Sequence, residues 1–331
     1  MLLHAGIADS RAWDRLASLL ADAGYRVVRY DRRGYGKTVT ENVEFSDTTD
    51  LLAVFGALGI GRAALVGNSM GGRIALDAAI ESPDRVVAVI GVGAGLGGFD
   101  GDSTAAELVA FENMEALEER LEKSSDDLEV LQALIDLDVT FWVDGPGQRT
   151  DRVATAIRDL VRNMDSNHYD ANRVQARPIR LQPPASERLH ELTQPVLAVA
   201  GSLDATEVAQ TAEHLAANAA NATAIIWKDV AHMIGLEVPD WPSSSLAFSP
   251  PCRAGLDERL LERFLDVTTD ILRPVFHWCV ETVVETAGGH PALDEFTRPP
   301  ILAIHHVPEV DSVGRIEAGL GYFIGVKKEI A

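Results

Sequence analysis

The chain is predicted to be an α/β protein with a mostly parallel sheet and a helical insertion, and three observations lead there. From residue 2 to about 92, short apolar runs alternate with amphipathic, helix-like stretches. That rhythm lays parallel strands side by side and covers both faces of the sheet with helices. A serine with glycine two residues away on each side, Gly67-Asn68-Ser69-Met70-Gly71, follows the apolar Ala63-Ala64-Leu65-Val66 and precedes a helix-like run to Ile80. From about 100 to 190 strand signals give way to helical ones, and the alternation resumes at Pro195.

Each element follows from local chemistry. Leu2-Leu3 reads as a strand ending in a loop, His4 to Asp9. Trp13, Leu16, Leu19 and Leu20 fall at helical spacing, with Asp9 or Ser10 as N-cap and Gly24 as the stop. Tyr25 to Tyr30 is strand-like, the turn Asp31-Arg32-Arg33-Gly34-Tyr35-Gly36 follows, and a helix is expected around Thr49 to Leu58. Pro83 breaks the helix after Ser69, and Val86 to Val92 reads as a buried strand.

In the insertion, Thr104-Ala105-Ala106-Glu107 makes a capping box, and Ser124 to Asp127 can cap a second helix. Val153, Ile157, Leu160, Val161 and Met164 stripe a third, and no strand is expected there. Pro195 to Ala200 and Ala224 to Trp227 are the next strands. The expected organisation is therefore a first core part (1–99), a helical lid (100–190), a second core part (191–240) and an atypical tail (241–331). The tail holds a helix-like Leu256 to Leu272 and a strand-like Pro300 to Ile304.

The serine motif carries the chemistry. A strand-to-helix corner this sharp excludes side chains at its flanks, strains the central residue and lifts its hydroxyl clear of the sheet. The helix that opens there aims free N–H groups at a developing oxyanion. A serine hydroxyl needs a base, and the base needs an orienting carboxylate. Loops after parallel strands meet at one sheet edge. Asp204 follows the strand ending at Ala200, and His232 follows the one ending at Trp227. Ser69, Asp204 and His232 thus form the candidate catalytic set, in the order nucleophile, acid, histidine.

With these residues in place the chain resembles the α/β-hydrolase superfamily over roughly residues 1–240, most of all bacterial ester and enol-lactone hydrolases and cofactor-free haloperoxidases. Leu2 to Ser10 with Trp13 looks like the family's oxyanion loop, with His4-Ala5 where His-Gly is more usual. Asp31 to Gly36 looks like its Asp-x-Arg-Gly-x-Gly turn, and Phe141 to Pro146 resembles lid segments of the group. The resemblance implies an oxyanion hole from the backbone N–H groups of Gly6 and Met70 and no metal or organic cofactor. It implies hydrolysis of a small carboxylic ester or lactone through an acyl-serine, with perhydrolysis or carbon–carbon cleavage open to the same three residues. A non-catalytic relative that keeps the pocket is the alternative. The chain departs from the family in carrying only three residues before His4 and about 90 beyond Val238. Without the usual opening hairpin, Tyr25 to Tyr30 would be a bare sheet edge. The tail is expected to pair with that edge, to open a second hydrolase-like unit, or to be largely disordered.

Other signals weigh against other classes. A net charge of −21 over 331 residues disfavours nucleic acid and anionic membranes as partners. Cys252 and Cys279 form no framework. With neither a basic leader nor an apolar run long enough to span a bilayer, the expected location is the cytoplasm. Gly93 to Gly98 has G-x-G-x-x-G spacing, but Phe99-Asp100-Gly101-Asp102 intervenes where a dinucleotide site needs a helix. Those glycines are expected instead to pass close to the active-site mouth. Arg32-Arg33 is expected to be scaffold, and His305-His306 lacks a third metal ligand.

Overall fold

The computed structural model describes residues 1–124, 126–171, 176–238 and 302–304. Its main sheet contains β1 (Leu2–Leu3), β2 (Val28–Tyr30), β4 (Ala63–Asn68), β5 (Val86–Val92), β7 (Val196–Gly201), β8 (Ala222–Trp227) and β9 (Leu302–Ile304). All pairs are parallel, in the order β8-β7-β5-β4-β1-β2-β9. The strand period of two sorts side chains to two cores. Leu3, Leu65, Val89 and Ala198 face α2 (Asp47–Ala57), α3 (Met70–Glu81) and α7 (Thr206–Asn218). Leu2, Val66, Ile90 and Val199 face α1 (Asp14–Asp22) and α8 (Ile234–Glu237). This is the three-layer α/β architecture expected.

Two local expectations need correction. The second strand begins at Val28 rather than Tyr25, because the Tyr25 N–H turns back to the Leu20 carbonyl and closes the end of α1. The insertion is not free of strand: β6 (Arg177–Pro178) pairs in parallel with β3 (Glu44–Phe45). Two residues are too few for any periodicity to reveal. At the far edge, Val28, Arg29 and Tyr30 lie opposite Leu302, Ala303 and Ile304, so β2 has a neighbour there. The helix expected at Leu256 to Leu272, both cysteines and His305-His306 lie outside the described residues.

Between β5 and β7 stand α4 (Ala105–Lys123), α5 (Leu128–Asp138) and α6 (Thr155–Ala171). Thr104 and Glu107 close the capping box, and Asp127 caps α5. A π-helical turn, Val139–Asp144, extends α5. Val153, Val161 and Met164 pack with Val139, Val143 and Met233, which seats the insertion over the carboxyl ends of the strands.

Candidate active site

Ser69 stands between the end of β4 and the start of α3 with φ 53° and ψ −117°. No ordinary L-residue rests there, and such conformations cost about 1–3 kcal/mol. Its surroundings explain the glycines. A Cβ on Gly67 would overlap the Gly71 backbone, and one on Gly71 would overlap the Leu3 carbonyl. The helix start is thereby pressed against β1. As the first residue of α3, Met70 has its N–H outside the helical ladder.

Asp204 and His232 meet directly. Asp204 lies in the turn between β7 and α7, and its Oδ1 also accepts from the Ala205 N–H at 2.8 Å. His232 follows β8 through a turn whose Asp229 has φ 61°. The imidazole Nδ1 is 2.9 Å from Asp204 Oδ2 and 3.0 Å from Oδ1, and His232 is buried. A carboxylate only accepts, so Nδ1 carries the proton and Nε2 is left as a base. The serine backbone is tied to the same corner. The Ser69 N–H donates to the Val92 carbonyl at 2.9 Å, and Gly93, the next residue, lies against the His232 ring. Asn68 Nδ2 donates to the carbonyls of Val92 (2.8 Å) and His232 (3.3 Å). The ends of β4 and β5 and the histidine loop are thus joined by three hydrogen bonds. Asn68 went unnoticed in the sequence, where it is only the variable residue of the serine motif.

Gly6 lies close to Met70: a Cβ built on it would stand 3.6 Å from the Met70 methyl. His4, fully buried, fixes the intervening loop. Its Nδ1 donates to the Ala5 carbonyl at 2.8 Å and its Nε2 accepts from the Arg32 N–H at 3.0 Å. Burial, then the Arg32 charge, push the His4 pKa well below the usual histidine range, so the ring is neutral and both nitrogens are used. The Arg32 guanidinium lies over the Tyr35 ring and reaches Met70 Sδ at 3.2 Å and the Ala5 carbonyl at 3.3 Å. Arg33 forms a fork with Asp50 at 2.8 and 2.9 Å. Both arginines are committed to the protein itself, as expected of scaffold.

The insertion braces this corner from above. Glu107, 3% exposed, accepts from the Thr104 N–H at 2.6 Å and from the Thr206 N–H at 2.8 Å. One carboxylate thus caps α4 and also α7, two residues beyond Asp204. Arg152 donates to the carbonyls of Val143 (2.9 Å) and Asp144 (2.7 Å) and pairs with Glu237 at 2.5 Å. Trp142, from the π-helical turn, lies 4.6 Å from the His232 ring centre. The capping box was legible in the sequence, but the second use of Glu107 and the reach of Arg152 are long-range and left no local pattern.

The G-x-G-x-x-G stretch leaves β5 with Gly93 at φ 54° beside His232 and Asp204, and the next helix starts only at Ala105. It runs past the His232–Asp204 pair, with no helix opening on its last glycine. Among the described residues no helix is long and apolar enough to cross a membrane.

A strained serine at a strand–helix corner, with a carboxylate–imidazole pair after the later strands, defines the class. The sequence profile of the α/β hydrolase family matches residues 1–241, and the chain belongs to that family. A 2-hydroxy-6-oxononadienedioate/2-hydroxy-6-oxononatrienedioate hydrolase of Burkholderia vietnamiensis is 39% identical over 105 residues, 30% of this chain and 36% of that protein. The chain therefore matches only about a third of that relative's length. The rhodomycin D methylesterase DauP of a Streptomyces species is 28% identical over 261 residues, 72% of this chain and 86% of that one. Among solved structures, the enol-lactonase of Burkholderia xenovorans superposes with a TM-score of 0.54 at 18% identity, covering 74% of this chain and 88% of its own. That likeness concerns the fold.

Proposed function

We propose that the chain is a serine hydrolase that cleaves a small carboxylic ester or (enol-)lactone through an acyl-serine intermediate. The observation that carries this reading is the His232–Asp204 pair, with both carboxylate oxygens within 3.0 Å of Nδ1, built beside the strained Ser69 corner. In the reaction Ser69 Oγ attacks the substrate carbonyl while His232 Nε2 takes its proton. The N–H groups of Met70 and Gly6 receive the oxyanion. The imidazolium then protonates the leaving alcohol, and a water activated by His232 releases the acid and restores the serine. Asp204 holds the tautomer and faces the imidazolium charge. The helical insertion acts as the lid that bounds the acyl group.

A fluorophosphonate probe tests the nucleophile, and a p-nitrophenyl ester chain-length panel run beside an enol-lactone tests the substrate class. Wild type should be labelled and active, and Ser69→Ala neither. A folded wild type that takes no label would favour a non-catalytic binding protein. The identity to the dienedioate hydrolase supports a second reading, in which the same three residues cleave a carbon–carbon bond of a 2-hydroxy-6-oxo acid. Turnover of such an acid with esters left untouched would select it. Perhydrolysis remains a variant of the first reading and is tested by adding peroxide.

A further inference from the structure

Trp142 is held on several sides. The turn that carries it is a π-helical one, a geometry frequent at functional sites. The Phe141 ring meets its indole edge-on at 4.7 Å, and Phe111 lies 6.2 Å away. Arg152 grips the next two carbonyls of the turn, those of Val143 and Asp144. Behind the indole, its N–H is directed to the buried Asp138 carboxyl, which in turn meets Asp165. Among the described residues Asp165 Oδ2 has no hydrogen-bond partner. So braced, the indole lies against the imidazole of His232, rings tilted by 47°.

An aromatic face within about 6 Å attracts a cation through its quadrupole. Resting on the reading that His232 is the base, we infer that Trp142 is a positioning residue that holds the His232 ring and favours its imidazolium form. The charge that appears on the ring during acyl transfer then meets Asp204 at its Nδ1 edge and the indole across its face. Other titratable groups around the pair are Glu207 on α7, whose carboxyl senses His232, and Glu237 on α8, which accepts from the Ala231 N–H. Asp138, to which the indole N–H is directed, has Asp165 and, from α4, Glu118 as acidic neighbours. Arg152 Nη1 faces the Asp229 carbonyl at 3.4 Å.

The test is the His232 pKa itself, read from its imidazole C–H resonances by NMR titration of the whole chain. Trp142→Leu should lower it by about half a pH unit, while Trp142→Phe keeps most of it. Uniform fluorotryptophan, which weakens the ring quadrupole without changing its shape, should lower it in wild type and leave it fixed in Trp142→Phe. The acid limb of kcat/KM should move by the same amount. A pKa unmoved by leucine or fluorine overturns the inference. Should the leucine variant fail to fold, the fluorotryptophan comparison decides alone. Because the titration needs no turnover, an unlabelled, inactive wild type with the expected shifts counts against the hydrolase reading and not against this contact.

Discussion

Asp204 meets His232 with both carboxylate oxygens, 3.0 and 2.9 Å from Nδ1, and the two side chains are 1% and 4% exposed. An acid placed so can dictate which imidazole nitrogen bears the proton. Asp204→Asn keeps the shape, but its amide can donate toward Nδ1 and turn Nε2 into the N–H. The expected result is a kcat lower by about 10⁴ with an unchanged fold. Steady-state ester hydrolysis and circular dichroism check this together. A loss below tenfold would remove Asp204 from the mechanism.

Ser69 offers a test of stored strain. At φ 53° and ψ −117° any Cβ is uncomfortable. Ser69→Ala removes the hydroxyl and keeps the strain, whereas Ser69→Gly removes both. The glycine variant should exceed the alanine variant in stability by about 1 kcal/mol, even though glycine elsewhere lowers stability. Denaturant titration of the two inactive variants measures the difference. Equal midpoints would mean that the corner is not strained.

The oxyanion donor proposed on the loop, Gly6, would act through its backbone N–H, so side-chain truncation cannot remove it. A Cβ on Gly6 would meet only the Met70 methyl, at an ordinary 3.6 Å. Gly6→Ala should therefore be tolerated, while Gly6→Pro, which lacks the N–H, should lose about 10²–10³ in kcat. If alanine and proline fall equally, the effect is steric and the donor lies elsewhere.

These tests concern residues that could be named from the sequence, for a physical reason. The serine corner, the acid and the histidine each follow a strand, and strands announce themselves by local apolar runs such as Val196 to Ala200. Parallel packing then brings their ends together. The capping box at Thr104 and Glu107 was visible for the same reason, being four residues long. What stayed hidden depends on tertiary contact. Nothing near Glu107 in the chain signals that it also caps α7, 99 residues later. Likewise the reach of Arg152 to Glu237 spans 85 residues. The β3–β6 pair is too short for a pattern, and the close of α1 onto Tyr25 shortened a strand that apolar content alone had extended.

The buried acids Asp138 and Asp165 give a pH dependence whose sign can be worked out. Burial is the main cause that pushes Asp138 up to about 7, with the charge of Glu118 adding to it. It also pushes Asp165 up, and the neighbouring Asp138 adds to that. In the unfolded chain both carboxyls ionise near the ordinary carboxylate value, about 4. From there up to their raised folded values, the native state binds more protons than the unfolded state. Stability contributed at this site therefore falls as pH rises through that window and levels off above it. Asp165→Asn supplies a permanent N–H donor to Asp138 and leaves one acid fewer to ionise. Its melting temperature should change less between pH 5 and 9 than that of wild type, and its margin over wild type should grow as pH rises. Thermal unfolding of both proteins at unit pH intervals checks this, and parallel curves would show that Asp165 does not contribute to the pH dependence.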